Sequence, residues 1–241
     1  EAIRGYLHSA RGVNCTADQI IIGAGSEYLM MLLTQILGTS RTIAMENPTY
    51  RQAYRVFESL GCQMKPVEMD AHGMNVRLLE ESGADIAYVM PSHQYPLGIV
   101  MPVKRRQELL SWAGRGEKRY LIEDDYDSEF RYRGKPVPAL QGMDIQGKVI
   151  YMGTFSKSIA PAIRVGYLVL PAPLLAVYKR KCGFYASTVS RIDQKIIYQF
   201  LTEGHYERHL NRMRAIYKGK HDVLMSELKT LGTEFIVQGE Y

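Results

Sequence analysis

Short β-rich runs recur along the 241 residues, with amphipathic segments between several of them, and this alternation constrains the fold more than any other feature. The runs are Gln19 to Ile22, Thr42 to Met45, Gln63 to Val67, Ile86 to Met90, Tyr120 to Ile122, Val149 to Met152 and Gly166 to Leu170. Glu27 to Leu37 reads as a helix closed by Gly38, and Arg51 to Leu60 as one closed by Gly61. Val103 to Ala113 follows Pro102 and is closed by Gly114. Proline suits a helix start, where its missing N–H is not needed, and glycine suits the turn past the end. Strands alternating with helices predict an α/β domain whose mostly parallel sheet is flanked by helices. From Ser190 the pattern changes: Arg191 to Thr202 and Tyr206 to Leu231 read as helices, and Glu234 to Val237 as a short strand. This predicts a connector leaving one domain for a second, with the division after residue 217.

A 46% hydrophobic content suffices for a sizeable core. The net charge of +5 would suit a nucleic-acid partner. However, the basic residues are dispersed, and their densest stretch, Arg208 to Lys220, reads as a helix with a wet basic face and no DNA-reading motif. No apolar run approaches membrane-spanning length, and Glu1 to Tyr6 lacks the order of a secretory signal. A cytoplasmic protein without membrane contact is expected. Cys15, Cys62 and Cys182 are odd in number and far apart, which predicts three free thiols. Glu1 begins inside a helical pattern, and the chain stops soon after Phe235-Ile236-Val237, so both ends read as cut from something longer.

Ligands of open α/β sheets sit at the carboxyl ends of the strands. Five such ends offer Gly23-Ala24-Gly25-Ser26-Glu27, Glu46-Asn47-Pro48-Thr49-Tyr50, Pro91-Ser92-His93-Gln94-Tyr95-Pro96, Glu123-Asp124-Asp125-Tyr126 and Gly153-Thr154-Phe155-Ser156-Lys157. Glycines, an aromatic, a carboxylate and a lysine together suit an anionic aromatic cofactor. The first glycine turn leads into a helix and could seat a phosphate on free N–H groups, or be only a tight turn. Tyr28 stands where a dinucleotide fingerprint would need its third glycine. The segment ending in Lys157 is not a nucleotide P-loop, because Ser156 and Tyr151 occupy its glycine positions. A lysine amid hydroxyls at a strand end fits a nucleophilic, Schiff-base role, the alternative being a surface lysine. Among Glu123, Asp124, Asp125, Asp127 and Glu129, one buried acid could pair with a pyridine nitrogen, the others being solvated; a divalent-metal site is the alternative. Strand alternation points Asp124 and Asp125 to opposite faces. With seventeen tyrosines in the chain, Tyr50 and Tyr126 stand out only by following strands. His93 reads as a turn or support residue.

Taken together, these motifs resemble the fold-type-I pyridoxal-phosphate enzymes of the aspartate aminotransferase superfamily. The run Ile122 to Tyr132, then Pro138-Ala139-Leu140, Gly153 to Lys157, Pro161 and Arg164-Val165-Gly166-Tyr167 looks like the aminotransferase-like domain of MocR-type regulators of the GntR family. Pro91-Ser92-His93-Gln94 fits that subgroup too. The resemblance covers essentially the whole chain. It implies a fold-type-I large domain over 1–217, including the start of the connector helix, and the start of a truncated small domain over 218–241. It implies pyridoxal 5'-phosphate as cofactor, with Lys157 as the Schiff-base lysine and Asp124 on the pyridine nitrogen. It further implies Tyr126 as donor to the ring's phenolate oxygen, and Tyr50 on the ring face. Gly25, Ser26 and Glu27 would meet the phosphate at a helix start, and Thr154, Ser156 and Arg164 would complete its cup. Many aminotransferases have Asn-Pro-x-Gly where this chain has Tyr95-Pro96-Leu97-Gly98, so Tyr95 replaces the usual asparagine ligand. The resemblance also implies a homodimer, a small amino compound or the cofactor itself as effector or substrate, and DNA contact only through a winged helix absent from this chain. A free-standing aminotransferase acting on an α-amino acid is the alternative.

Overall fold

The computed structural model describes residues 1–130, 137–230 and 232. In chain order the elements are α1 (Ala2–Arg11), β1 (Ile20–Gly23), α2 (Ser26–Leu37), β2 (Thr42–Asn47), α3 (Arg51–Ser59), β3 (Gln63–Asp70), β4 (Gly73–Met74), α4 (Val76–Glu81), β5 (Ile86–Val89), α5 (Val103–Gly114), β6 (Tyr120–Asp125), β7 (Val149–Thr154), β8 (Gly166–Val169), α6 (Ala172–Lys181), α7 (Arg191–Thr202) and α8 (His205–Lys229). All seven expected strands form. Several run further than their apolar residues suggest; in β2, β6 and β7 this puts Glu46, Asp124 and Thr154 inside strands and not after them. The two-residue β4 and the helices α4 and α6 are additions to the sequence reading. The expected Glu234–Val237 strand, and Arg131-Tyr132 of the motif, lie outside the described residues.

The sheet has eight strands in the order β1-β8-β7-β6-β5-β2-β3-β4. The run β3-β2-β5-β6-β7 is parallel throughout, whereas β8 lies antiparallel between β7 and β1, and β4 turns back on β3. Parallel strands need both faces covered, and helices cover both. On one face Leu29, Leu33, Phe57 and Leu174, from α2, α3 and α6, pack on Ile43, Tyr88, Ile122 and Met152. On the other, Leu79, Leu109 and Trp112, from α4 and α5, pack on Ala44, Ala87, Leu121 and Val149. A third cluster joins Leu7 of α1, Ile197 of α7, and Tyr206 and Leu210 of α8 to Tyr151 and Tyr167.

Glu46, in the buried part of β2, is 1% exposed. The N–H groups of Met90 and Met74 and the Gln94 amide approach its carboxyl without forming a well-aligned hydrogen bond. Burial outweighs them and pushes the carboxyl up to about 7 from its ordinary 4.5. An acid raised on folding binds an extra proton in the folded chain, so stability falls as pH rises from about 4.5 through about 7. Glu46→Gln removes that loss. Chemical denaturation is expected to find the variant on the order of 2 kcal/mol more stable than the parent near pH 8, and close to it near pH 4.5. A difference independent of pH would rule out this source.

Candidate active site

Strand alternation sorts the acids of β6. Ile122 and Asp124 share the face that carries α2, α3 and α6, while Leu121, Glu123 and Asp125 point the other way. Asp124 is 8% exposed and accepts a hydrogen bond from the Tyr88 hydroxyl on β5. Burial lifts its carboxyl to about 7; the Tyr88 bond opposes the rise, and the nearby Asp125 and Asp127 add to it. A cationic N–H donor brought against Asp124 would return it to the charged form.

Glu123, Asp125 and Glu129 are buried and not solvated, contrary to the sequence expectation, and Asp127 is partly buried. Glu123 is fully buried and accepts the N–H groups of Leu140 at 2.7 Å and Gln141 at 2.8 Å. Asp125 accepts Arg11 Nε at 2.7 Å and the Tyr151 hydroxyl at 2.6 Å. Glu129 accepts the Tyr6 hydroxyl at 2.7 Å. Asp127 pairs with His93 Nδ1 at 2.7 Å, and the His93 ring stacks near that of Tyr126 at 13°. His93 therefore has the support role expected of it, and the Asp127 bond raises its pKa. Each acid has its own hydrogen-bond partner among the described residues.

β7 delivers the lysine. After Thr154 the chain turns through Phe155, which is fully buried and whose N–H is held by the Val165 carbonyl at 2.9 Å. Thr154 Oγ1 accepts the Ser156 N–H at 3.1 Å, closing a short turn that leaves Lys157 exposed. Ser158 anchors the turn from behind: its hydroxyl accepts Tyr206 of α8 at 2.7 Å. The loop returns through Arg164, which sits at φ 46°, the one non-glycine residue at positive φ among those described. An L-residue is disfavoured there by about 1–2 kcal/mol, and such outliers persist where surrounding structure holds them in place.

The glycine turn after β1 leads into α2, and Gly25 offers no side chain to cap that helix, whose first N–H groups and dipole favour an anion. Gly25 has φ 90°, and a Cβ there would lie 2.4 Å from the Arg164 guanidinium. Only glycine meets both conditions. Arg164 in turn donates to the Glu27 carboxylate.

Ser26, Glu27, Tyr50, Tyr95, Asp124, Tyr126, Thr154, Ser156, Lys157 and Arg164 line one cavity of about 340 Å³. Gly25 lies just outside that lining, under the guanidinium. Tyr50 and Tyr95 meet edge to face, 5.9 Å between centroids. Ser156 Oγ is buried without a hydrogen-bond partner among the described residues. Sequence reasoning missed Met90, Met152, Gly153 and Pro161 in the lining, and Tyr88 behind Asp124. Gly153 and Pro161 stand inside the quoted motifs but were given no role there, and Met90 and Met152 border them and could have been found by extending them; Tyr88 looked like any core tyrosine of a strand.

The family model described as aminotransferase class I and II matches residues 1–240. The HTH-type transcriptional regulator YdeL of Bacillus subtilis is 40% identical over 236 residues, covering 98% of this chain and 51% of that protein. The probable rhizopine catabolism regulatory protein MocR of Rhizobium meliloti is 36% identical over 226 residues, covering 93% of this chain and 46% of that protein. The chain thus spans about half the length of these relatives. Among solved structures, kynurenine aminotransferase of Pyrococcus horikoshii superposes with a TM-score of 0.83 at 28% identity, over 99% of this chain and 60% of that one.

Proposed function

The chain belongs to the aminotransferase class I and II family, and from that premise we propose that it is the pyridoxal-phosphate-binding effector domain of a MocR-type transcriptional regulator. The observation that carries this reading is the convergence of Lys157, Asp124 and Arg164 on one cavity. That cavity fits pyridoxal 5'-phosphate on three counts. Asp124 is a buried acid that has no cation partner among the described residues. Ser156 Oγ is a buried hydroxyl that lacks a partner. The Gly25 cradle would be filled by any Cβ. When bound, the group supplies an electron sink in its ring and an aldehyde for amines to attack.

The chain's own residues would divide the work. Lys157 would hold the aldehyde carbon covalently through Nζ and, once displaced by an amine, be the base in reach of the reacting carbon. Asp124 would keep the ring N–H protonated. Tyr126 would donate to the ring's phenolate oxygen, with Tyr95 beside it, and Tyr50 would cover the ring face. The phosphate would rest on the N–H groups of Ser26 and Glu27, against Gly25, whose own N–H donates to the Gly23 carbonyl at 2.9 Å, and on Thr154, Ser156 and Arg164, the last through a charge-assisted contact.

The regulatory part of the proposal rests on the similarity to HTH-type regulators over the full chain. A small amino compound, or the cofactor, would be the effector. Residues 218–241 would begin a small domain, a second copy would complete a homodimer in the cytoplasm, and DNA would be met by a separate winged-helix domain. The likeness to a solved aminotransferase favours a second reading, transamination of an amino acid, which the same residues would serve. On the full-length protein, DNA binding that weakens steeply with salt, together with slow or no turnover over a panel of amino donors and a keto-acid acceptor, is the expected result. Rapid turnover without specific DNA binding would leave the aminotransferase reading in its place.

A further inference from the structure

Arg164 and Lys157 are the cations that line the cavity among the described residues. Lys157 is engaged by the aldehyde end of the cofactor in the reading above, on which this inference rests. Among the described residues of the lining Arg164 remains to neutralise the phosphate, and it already donates to the carboxylate of Glu27, itself in the first turn of the helix that would seat that phosphate. The Glu27 carboxylate also takes up its own backbone N–H at the start of α2. A carboxylate thus uses the same two kinds of donor, guanidinium and helix-start amide, that a phosphate would use. In spite of its partial burial, its own backbone N–H and then the Arg164 bond hold Glu27 below the usual carboxylate range, so it is charged at neutral pH.

We propose that Glu27 is a selectivity residue of the phosphate seat: its carboxylate competes with the cofactor's phosphate for Arg164, and so disfavours the phosphate dianion against the monoanion. The charge count gives the sense of the effect. Arg164 with Glu27 sums to zero, whereas Arg164 alone would present one positive charge. A phosphate monoester loses its second proton near pH 6. Above that pH the dianion faces an extra negative charge at close range; below it the repulsion is reduced. Besides Arg164, the titratable groups that share the cavity lining with Glu27 among the described residues are Tyr50, Tyr95, Asp124, Tyr126 and Lys157, of which the Tyr50 phenol, from the loop between β2 and α3, interacts with the Glu27 charge. Loading would then be reversible and responsive to the supply of cofactor, which suits a sensor more than an enzyme that holds its cofactor throughout.

The test titrates pyridoxal phosphate, and separately pyridoxal, into cofactor-free full-length protein and its Glu27→Gln variant, following the cofactor's absorbance. The variant is expected to bind pyridoxal phosphate roughly tenfold more tightly near pH 8, with a smaller gain near pH 6. Its affinity for pyridoxal, which has no phosphate, is expected to be unchanged. Unchanged or weaker binding of pyridoxal phosphate by the variant would overturn the proposal. So would an equal gain for pyridoxal, because a general loosening of the site, and not phosphate competition, would explain it. A parent protein that fails to take up the cofactor at Lys157 would remove the underlying reading and this inference with it.

Discussion

Asp125→Asn is expected to destabilise the fold by about 3–5 kcal/mol, while Asp124→Asn at the next position leaves the fold nearly intact and weakens cofactor binding instead. Asp125 is 4% exposed and faces Arg11, itself 6% exposed, at 2.7 Å. Removing the carboxylate takes the hydrogen-bonded counterion from a buried guanidinium, whose remaining hydrogen bonds among the described residues go to the uncharged Ser92 hydroxyl at 2.6 Å and Val137 carbonyl at 3.3 Å, with the buried acids Glu123 and Glu129 acting on it only at longer range. A buried charge that loses its counterion costs far more than an exposed one. α1 would lose its tie to β6, and urea unfolding should report the loss directly.

Among the described residues Asp124 has no such cation, and its hydrogen-bond partner is the Tyr88 hydroxyl. In Asp124→Asn the new side-chain amide keeps an oxygen to accept that bond and discards a carboxyl that burial already strains. What the amide cannot do is balance a protonated ring nitrogen. A charge-assisted hydrogen bond is worth about 1.5–3 kcal/mol, so pyridoxal phosphate should bind roughly ten- to a hundredfold more weakly. Equal losses of stability in the two variants, or cofactor binding undiminished in Asp124→Asn, would mean that β6 does not divide its acids as described.

The sequence exposed the sheet because its strands are β-branched or apolar runs with glycine and proline between them. It concealed how far the strands extend. Glu123-Asp124-Asp125 reads as a polar turn, and only the folded chain supplies Arg11, 114 residues away, and the Leu140 and Gln141 amides that let those acids stay inside. Helix α4 escaped notice because six residues are too few to show a period; Asn75 caps it through the N–H groups of Arg77 and Leu78. Helix α6 begins Pro171-Ala172-Pro173, which reads as a breaker, yet proline is tolerated in a first turn. At the site, Lys157, Asp124 and the tyrosines were legible because each follows or ends a strand. The pairing of Arg164 with Glu27 was not, since it joins residues 137 apart through a backbone conformation that an arginine rarely adopts.

The most direct measurement is reductive trapping on the full-length protein. Borohydride treatment of the pyridoxal-phosphate-loaded protein, followed by digestion and mass mapping, should place the phosphopyridoxyl label on Lys157. The Lys157→Ala variant should show neither the label nor the yellow absorbance of the loaded protein. Lys157 is exposed and lines the cavity, and none of the other lysines lines it among the described residues. A label on another lysine, or an unchanged absorbance band in Lys157→Ala, would contradict the assignment of this cavity as the pyridoxal-phosphate site.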